Sequence, residues 1–404
     1  MNIVVIGKVW PEPSSSAAGT RTMGLIEAFL EAGWSVTFAS SAQPTEYSID
    51  LIGMGVMTQR IAVNDSSFDR WIAACSPDVV LFDRYMIEEQ FGWRVERACP
   101  QALRVLDTSD LHCLRAAREQ QVQQGGGLNL FNEVALREIA SIFRSDLSLM
   151  ISEFEMQLLH EDFKVPASQL CYLPLMLPEP DACPPDYESR QHFMVIGSYL
   201  HAPNWDGVRW CCQSIWPLIR RELPDAELHL YGSYEPSKAR QLADRKQGIV
   251  FHGRAPSALK TMERYRVNLA PLRFGAGQKG KVADGWLSGT PTIATPIAAE
   301  SMPGGIDWGC AVIADSEGFA QTAVDVYRCP QLWRRVQEQG RQIVRKRFLA
   351  CDWRPRLVAS IETLRIDNRH QQFTGRMLRY HLHRSTEFMS RWIEEKNRYP
   401  RGNS

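Results

Sequence analysis

The stretch Ala270-Pro271-Leu272-Arg273-Phe274-Gly275-Ala276-Gly277-Gln278-Lys279-Gly280-Lys281-Val282-Ala283-Asp284 reads as the end of an apolar strand, a loop with three glycines, and a helix beginning near Lys279. Glycines let backbone N–H groups approach a ligand closely, and a helix N-terminus favours anions. Arg273, Lys279 and Lys281 bracket the loop with fixed positive charge, so the turn suits a diphosphate. The plain alternative is a tight strand-to-helix turn with basic residues on its surface. The stretch is neither of the common phosphate loops, because no Ser or Thr follows a lysine at Walker spacing. The first strand-to-helix turn, Gly7-Lys8-Val9-Trp10-Pro11, lacks G-x-G-x-x-G, which argues against a nicotinamide dehydrogenase.

Outward from this loop the chain alternates short apolar strands with amphipathic helices, the pattern of a parallel sheet covered on both faces. On its side of the chain the expected strands are His192 to Ile196, Glu227 to Tyr231, Ile249 to Phe251, Val267 to Ala270 and Pro291 to Ala294, with a helix around Val208 to Leu223. Pro174, Pro178, Pro180, Pro184 and Pro185 forbid a continuous helix or central strand before them, so residues 177–191 form a linker. The same rhythm fills the first half. Strands are expected at Ile3 to Ile6, Ser35 to Ala39, Asp78 to Phe82, Leu103 to Leu106 and Leu147 to Ile151. A helix from Thr20 to Ala32 ends at Gly33, and Gln120 to Gly127 reads as a mobile loop. The division is a first Rossmann-like domain over 1–176, a second over 192–350, and a tail over 351–404.

The 404 residues are 44% hydrophobic and 23% charged, ordinary globular proportions that exclude a disordered or collagen-like chain. Lys+Arg and Asp+Glu balance at 46 each, so no nucleic-acid partner is expected. Ten cysteines without a C-x-x-C pair read as reduced thiols of a cytoplasmic protein. The start, Met1 to Gly7, reads as a first strand and not a signal peptide, and no window is apolar enough to cross a bilayer. The tail is locally basic, with fifteen Lys/Arg against six Asp/Glu from Arg341 onward. Within it Leu378, Leu382, Met389 and Ile393 form a helical stripe, with Phe373, Met377, Tyr380, Phe388 and Trp392 beside it. One reading packs that stripe on the body and solvates the basic face. The other places it against an anionic membrane surface, making the protein peripheral at the inner membrane face.

Here the residues carry a resemblance. The run from Arg273 through Gly289-Thr290-Pro291 and Ala294-Thr295 is similar to the donor-binding segment of group-1 (family 4) glycosyltransferases of the GT-B fold. Ile196-Gly197-Ser198 with Pro203-Asn204-Trp205-Asp206-Gly207 resembles the opening of the donor domain in one subset of that family. Leu230-Tyr231-Gly232 and Phe251-His252-Gly253-Arg254 resemble its next two strand-to-loop junctions. Ala18-Gly19-Thr20-Arg21 is similar to the family's Gly-containing loop, and Leu106 to His112 resembles the loop that faces the cleft. The likeness spans most of residues 1–350 and is more specific in the second half.

The resemblance implies an α/β GT-B architecture, with two Rossmann-like domains facing across a cleft and a C-terminal helix crossing back to the first. It implies a nucleotide-diphosphate sugar as co-substrate, no metal and no other cofactor, retention of configuration, and a glycan, glycolipid or protein acceptor. Carried over residue by residue, Arg273 and Lys279 neutralise the diphosphate, aided by Gly275 and Gly277, with Lys281 beside them. Asp284 stands where the family has the second Glu of its E-x7-E motif. Ala276 stands where the first would be, so that Glu is missing. The Arg and Lys that many members carry after the first donor-domain strand are also absent between Gly197 and Asn204. Gly19, Ser198, Gly232, Gly253, Arg254, Thr295 and Glu300 complete the expected donor side. His112, with Asp110 beside it, is the first-domain catalytic candidate, although it equally suits a helix-start cap. Arg21, Arg84 and Tyr85 are the acceptor-side candidates, the latter two at the strand end where ligands bind such sheets. His381 and His383 are two apart on a helix and unsuited to share a metal, and the other histidines show no ligand spacing. The alternatives are a catalytically silent donor-binding partner of another glycosyltransferase and a nucleotide-sugar epimerase on the same fold.

Overall fold

A computed structural model describes residues 1–181, 183–236, 239–366 and 373–398. Position 182 of the linker and positions 367–372 and 399–404 of the tail lie outside the described residues. The first half holds β1 (Asn2–Gly7), α1 (Ala17–Glu31), β2 (Ser35–Ser40), β3 (Met57–Arg60), α2 (Ser67–Cys75), β4 (Val79–Asp83) and α3 (Tyr85–Ala98). It continues with β5 (Leu103–Asp107), α4 (His112–Gln124), α5 (Glu133–Arg144), β6 (Leu147–Met150), α6 (Glu153–Glu161) and β7 (Leu170–Tyr172). Its seven strands run parallel in the order β3-β2-β1-β4-β5-β6-β7. Ile3 to Ile6 of β1 are wholly buried, because helices cover both faces of this central strand.

The second half holds β8 (Gln191–Ile196), α7 (Ala202–Trp210), α8 (Trp216–Glu222), β9 (Leu228–Tyr231), β10 (Ile249–Gly253), α9 (Ala258–Met262) and β11 (Tyr265–Ala270). It ends with α10 (Gly280–Leu287), β12 (Thr292–Ala294), α11 (Pro296–Ala299), α12 (Ser316–Arg328), α13 (Pro330–Arg347), α14 (Ala350–Ile366) and α15 (Phe373–Arg398). Its five strands, also parallel, order β10-β9-β8-β11-β12. This is the two-sheet architecture of the GT-B fold.

The linker and the returning chain run side by side. Leu177 N–H donates to Phe348 O (2.7 Å), and Ala350 N–H donates to Leu177 O (2.8 Å). From there α14 crosses to the first half, burying Leu357 and Ile361 in the core beneath α1 and pairing Arg354 with Glu27 and Glu31. Arg190 fastens the linker from the other side. Fully buried, it donates to Pro185 O (2.9 Å), Thr290 Oγ1 (2.6 Å) and Ser288 O (2.7 Å), and burial pulls its pKa down to about 10.

Several expectations shift. Residues 120–124 belong to α4, and only Gly125 to Gly127 leave it, Gly125 ending the helix at φ +75°. The helix expected around Val208 starts at Ala202 and passes through a π-turn at Cys211–Ile215 before α8. Pro217 explains the turn: its ring and missing N–H break the regular ladder, and one wider turn absorbs the clash.

The main correction concerns α15. It does not bury the Phe373–Ile393 stripe. Gly375, Arg379, His383 and Ser390 are the buried residues, against α3 and α5. That surface is polar. Arg94, 1% exposed, donates to Ser390 Oγ (3.0 Å), Arg379 donates to Arg144 O (2.6 Å), and His383 Nδ1 meets Glu96 at 2.7 Å. Burial alone would lower the His383 pKa, but its bonds to Glu88 and Glu96 prevail and raise it. The helix that crosses from the second half is thus α14, and α15 is a separate, ion-paired addition to the first.

Candidate functional site

The C-terminal ends of parallel strands and the helix starts that follow them line the gap between the sheets. Two glycines set how closely the halves meet. A Cβ on Gly280 would lie 2.6 Å from Ala17 Cβ at the start of α1. One on Gly277, at φ +66°, would lie 2.8 Å from Asp110 Cβ. The glycine loop therefore touches the first half directly, and side chains here would hold the halves apart.

Lys279 and Lys281 open α10 from the same end. Lys279 is 7% exposed and its Nζ donates to Ala276 O (3.2 Å) and Gly277 O. Burial lowers its pKa against the opposing pull of Glu300 and Glu155. Among the described residues Lys281 Nζ has one partner, the neutral Asn204 Oδ1 at 2.8 Å, and desolvation together with Lys279 pushes its pKa down to about 7. An ammonium at a helix start without a carboxylate partner among the described residues is suited to receive an anion. Asn268, wholly buried on β11, holds the helix start by donating to Lys281 O (3.1 Å). Asp284, on the following turn, makes no side-chain hydrogen bond among the described residues, and burial raises its pKa to about 7.

The first half supplies His112, Asp110 and Glu155. Glu138, on α5, caps α4 by accepting from the N–H groups of His112 (3.0 Å) and Cys113 (2.8 Å). The same carboxylate lies 3.1 Å from His112 Nδ1, and Tyr85 packs edge-on against the ring at 5.4 Å. His112 thus carries a fixed ring whose Nε2 makes no hydrogen bond among the described residues. Asp110 pairs with Arg115, and despite burial that cation and His112 hold its carboxyl well below the usual range. Glu155 is wholly buried. Its Oε1 accepts from Gly277 N–H, Oε2 has no partner among the described residues, and burial with nearby Asp110 raises its pKa.

The predicted Glu300 and Arg254 close the rims. Arg118 of α4 grips Glu300 through two bonds (2.8 and 2.7 Å) and also donates to Gly275 O (2.8 Å). At the opposite rim Arg254 donates to Ser14 Oγ (2.8 Å) and lies over the Tyr47 ring at 4.2 Å. Gly19 lets α1 pass under the Glu12 backbone, where a Cβ would clash at 2.5 Å. Gly232 meets the Tyr199 ring in the same way, Gly253 adopts φ +73°, and Ser198 O accepts from Asn204 Nδ2 (3.0 Å).

Four candidates are placed elsewhere. Arg273 spends its guanidinium on Asp206 of α7 (Nε to Oδ2, 2.8 Å), at the solvent edge. Thr295 spends its hydroxyl locally, donating to Leu272 O (2.6 Å) and accepting from Ala298 N–H (3.2 Å). Arg21 is buried against Asp107 (2.7 Å) and donates to Leu173 O, closed to any acceptor. Tyr85 supports the His112 ring and is 7% exposed. Arg84 stays at the strand end in a strained φ of +76°, near Asp83 and Ser109.

The sequence reading missed Arg118, Glu138, Glu155 and His201. His201, at the N-cap of α7, lies within electrostatic reach of Asp110, Arg115, Lys281 and Lys279. Ser152 to Glu155 spells the S-x-x-E of an ordinary helix cap, which disguised Glu155: Ser152 does cap, while the Glu reaches the other half.

The structure also gathers His192, Glu227 and His229 on neighbouring strands, a grouping that sequence spacing conceals. His192 Nδ1 already accepts the Glu227 N–H (3.1 Å), which leaves the proton on Nε2 and no lone pair for a metal.

A family model described as "Glycosyl transferases group 1" matches residues 190–328. Among solved structures, the chain is similar to a sucrose-phosphate synthase from Thermosynechococcus elongatus, with TM-score 0.71, 14% identity, and coverage of 90% of this chain and 99% of that one. It is similar to the pneumococcal O-GlcNAc transferase in complex with UDP and GlcNAc, with TM-score 0.67, 11% identity, and coverage of 90% and 99%. An Anabaena protein in complex with UDP and glucose gives TM-score 0.65, 12% identity, and coverage of 90% and 100%. No curated protein matches in sequence. At these identities the likeness shows the fold, which is GT-B.

Proposed function

We propose that this protein transfers a sugar from a nucleotide-diphosphate sugar to a glycan, lipid-linked or protein acceptor. The observation that carries the reading is Lys281: a half-buried ammonium at a helix start whose one hydrogen-bond partner among the described residues is a neutral amide. A diphosphate supplies a countercharge, Lys279 shares it, and Glu155 yields Gly277 N–H to the same group. Asp284, without a side-chain hydrogen bond among the described residues, suits the ribose hydroxyls. The family match over 190–328 and neighbours whose complexes hold UDP with a sugar support the same donor class.

In the reaction the bond from the anomeric carbon to the diphosphate oxygen breaks. The acceptor oxygen bonds to that carbon, and its proton passes to the departing diphosphate. Charge builds on the leaving group, so fixed lysines there lower the barrier. Attack on the face the diphosphate leaves gives retention of configuration. His112, held by Glu138, orients the sugar from the opposite wall. No metal is required in this scheme, since the lysines neutralise the leaving group.

Thermal unfolding against UDP, GDP, ADP, dTDP, CMP and their sugars tests the reading. A ligand at about 100 times its Kd stabilises by ~2.7 kcal/mol. One nucleotide family should respond, and the response should vanish in Lys281→Met. A panel without any response would remove the donor site. Binding without transfer or hydrolysis would favour the silent partner.

A further inference from the structure

α15 is anchored by polar contacts and turns its apolar side to solvent. Phe373, Met377, Tyr380, Phe388, Met389 and Trp392 are exposed, from 41% at Met377 to 80% at Phe373. At 100° per residue, Phe373, Met377, Tyr380, Phe388 and Trp392 share one arc opposite Arg379, His383 and Ser390, with Met389 at its border. Arg384 and Arg391 are exposed in the same arc and Lys396 at its border, while Glu395 within it pairs with Arg398. Arg384 lies over the Tyr380 ring (4.4 Å) and Lys396 over Trp392 (5.2 Å). Across the whole helix six Lys/Arg face three Glu, two of which, Glu387 and Glu394, are engaged with Arg97 and with the Ser66 N–H.

The polar anchor is too specific to be incidental. Gly375 lets the helix approach so closely that a Cβ would lie 2.3 Å from Phe143 O, and Arg94 on Ser390 and Glu394, with the Glu96 pairs of Arg379 and His383, fixes its rotation. The exposed stripe is therefore presented by design of the interface beneath it. A coiled-coil partner does not suit it. The seam through Phe373, Met377 and Tyr380 continues at Arg384, Glu387 and Arg391, placing charge at each successive core position. Aromatic rings interleaved with arginine and lysine match the boundary of a bilayer, where rings sit at headgroup depth and long basic side chains reach lipid phosphates.

We propose that the outward face of α15 docks the protein on an anionic lipid surface. Its charge selects the lipid and its rings supply the buried area. This docking is independent of the sugar-transfer reading.

Co-flotation of the full chain tests it, using phosphatidylcholine vesicles with roughly one-third phosphatidylglycerol and vesicles of phosphatidylcholine alone, near the ionic strength where the screening length is about 10 Å. The protein should float with the anionic vesicles, and Phe388→Ser with Trp392→Ser should lower partitioning about tenfold or more. Both side chains are exposed, so thermal unfolding of the double variant should match wild type. Arg384→Glu with Lys396→Glu should abolish the preference for anionic vesicles. Failure to float with anionic vesicles, or equal binding to neutral ones, would overturn the proposal. So would a dimer that ignores vesicles and dissociates in the serine double variant, since the face would then pair two copies.

Discussion

Lys281→Met should make the free protein more stable and the donor complex weaker. The Lys281 ammonium has an ordinary pKa of 10.5 and a folded value near 7. Between those values the unfolded chain binds more protons, so this group makes stability rise with pH there. Below about pH 7 both states are protonated and the whole cost of the buried charge is present. A 3.5-unit difference (10.5 less 7) corresponds to roughly 5 kcal/mol as a ceiling. Methionine keeps the length and removes the charge, and with water entering the cleft a gain of about 2 kcal/mol near pH 6 is expected.

Donor binding runs the other way. A nucleotide sugar carries a doubly esterified diphosphate that does not titrate near neutrality, and it holds Lys281 protonated. Affinity should fall about tenfold between pH 6 and pH 8, as the protonated fraction of free Lys281 drops from about nine-tenths to one-tenth. Lys279, lowered by burial, and Glu155, raised by it, both add in the same direction. Titration calorimetry in two buffers of different ionisation enthalpy reads proton uptake directly. A pH-independent affinity, together with unchanged stability of the methionine variant, would refute the reasoning.

Arg273→Ala should change donor affinity less than about threefold, because its guanidinium is committed to Asp206 on an exposed face, where such pairs contribute little. A tenfold loss in a binding titration would show that Arg273 swings into the cleft. His112→Ala should lower kcat about tenfold or more and barely alter denaturant stability, since Glu138 still caps the α4 N–H groups. Turnover within twofold of wild type would demote His112 to a packing residue. Arg190→Met should cost about 2–4 kcal/mol by denaturant unfolding, because the Ser288 carbonyl and Thr290 hydroxyl lose a buried donor. A smaller effect would mean water fills that place.

The fold was legible because local pattern and global architecture agree. β1 reads as a continuous apolar run and is buried on both faces, and the prolines before Arg190 break the rhythm where the linker runs. The glycine loop was legible as a place of close approach, but the sequence does not say that Gly277 and Gly280 approach Asp110 and Ala17 of the first half. The rest depends on what faces each element. The α15 stripe has a helical period whether or not an apolar mate exists, and Glu88, Glu96 and Arg94 on the body select the other side. Arg273 and Lys279 have equal charge in the sequence, and only the position of Asp206 separates them. Arg118 and Glu155 carry their partners 182 and 122 residues away, a pairing that no local window contains.

The most direct measurement is release of nucleoside diphosphate from nucleotide sugars by the full chain, without acceptor and then with candidate acceptors, beside Lys279→Met. One donor should be cleaved slowly alone and faster with an acceptor, and the variant should lose both rates. Binding of a donor that stays intact under every condition would contradict sugar transfer and leave a donor-binding protein.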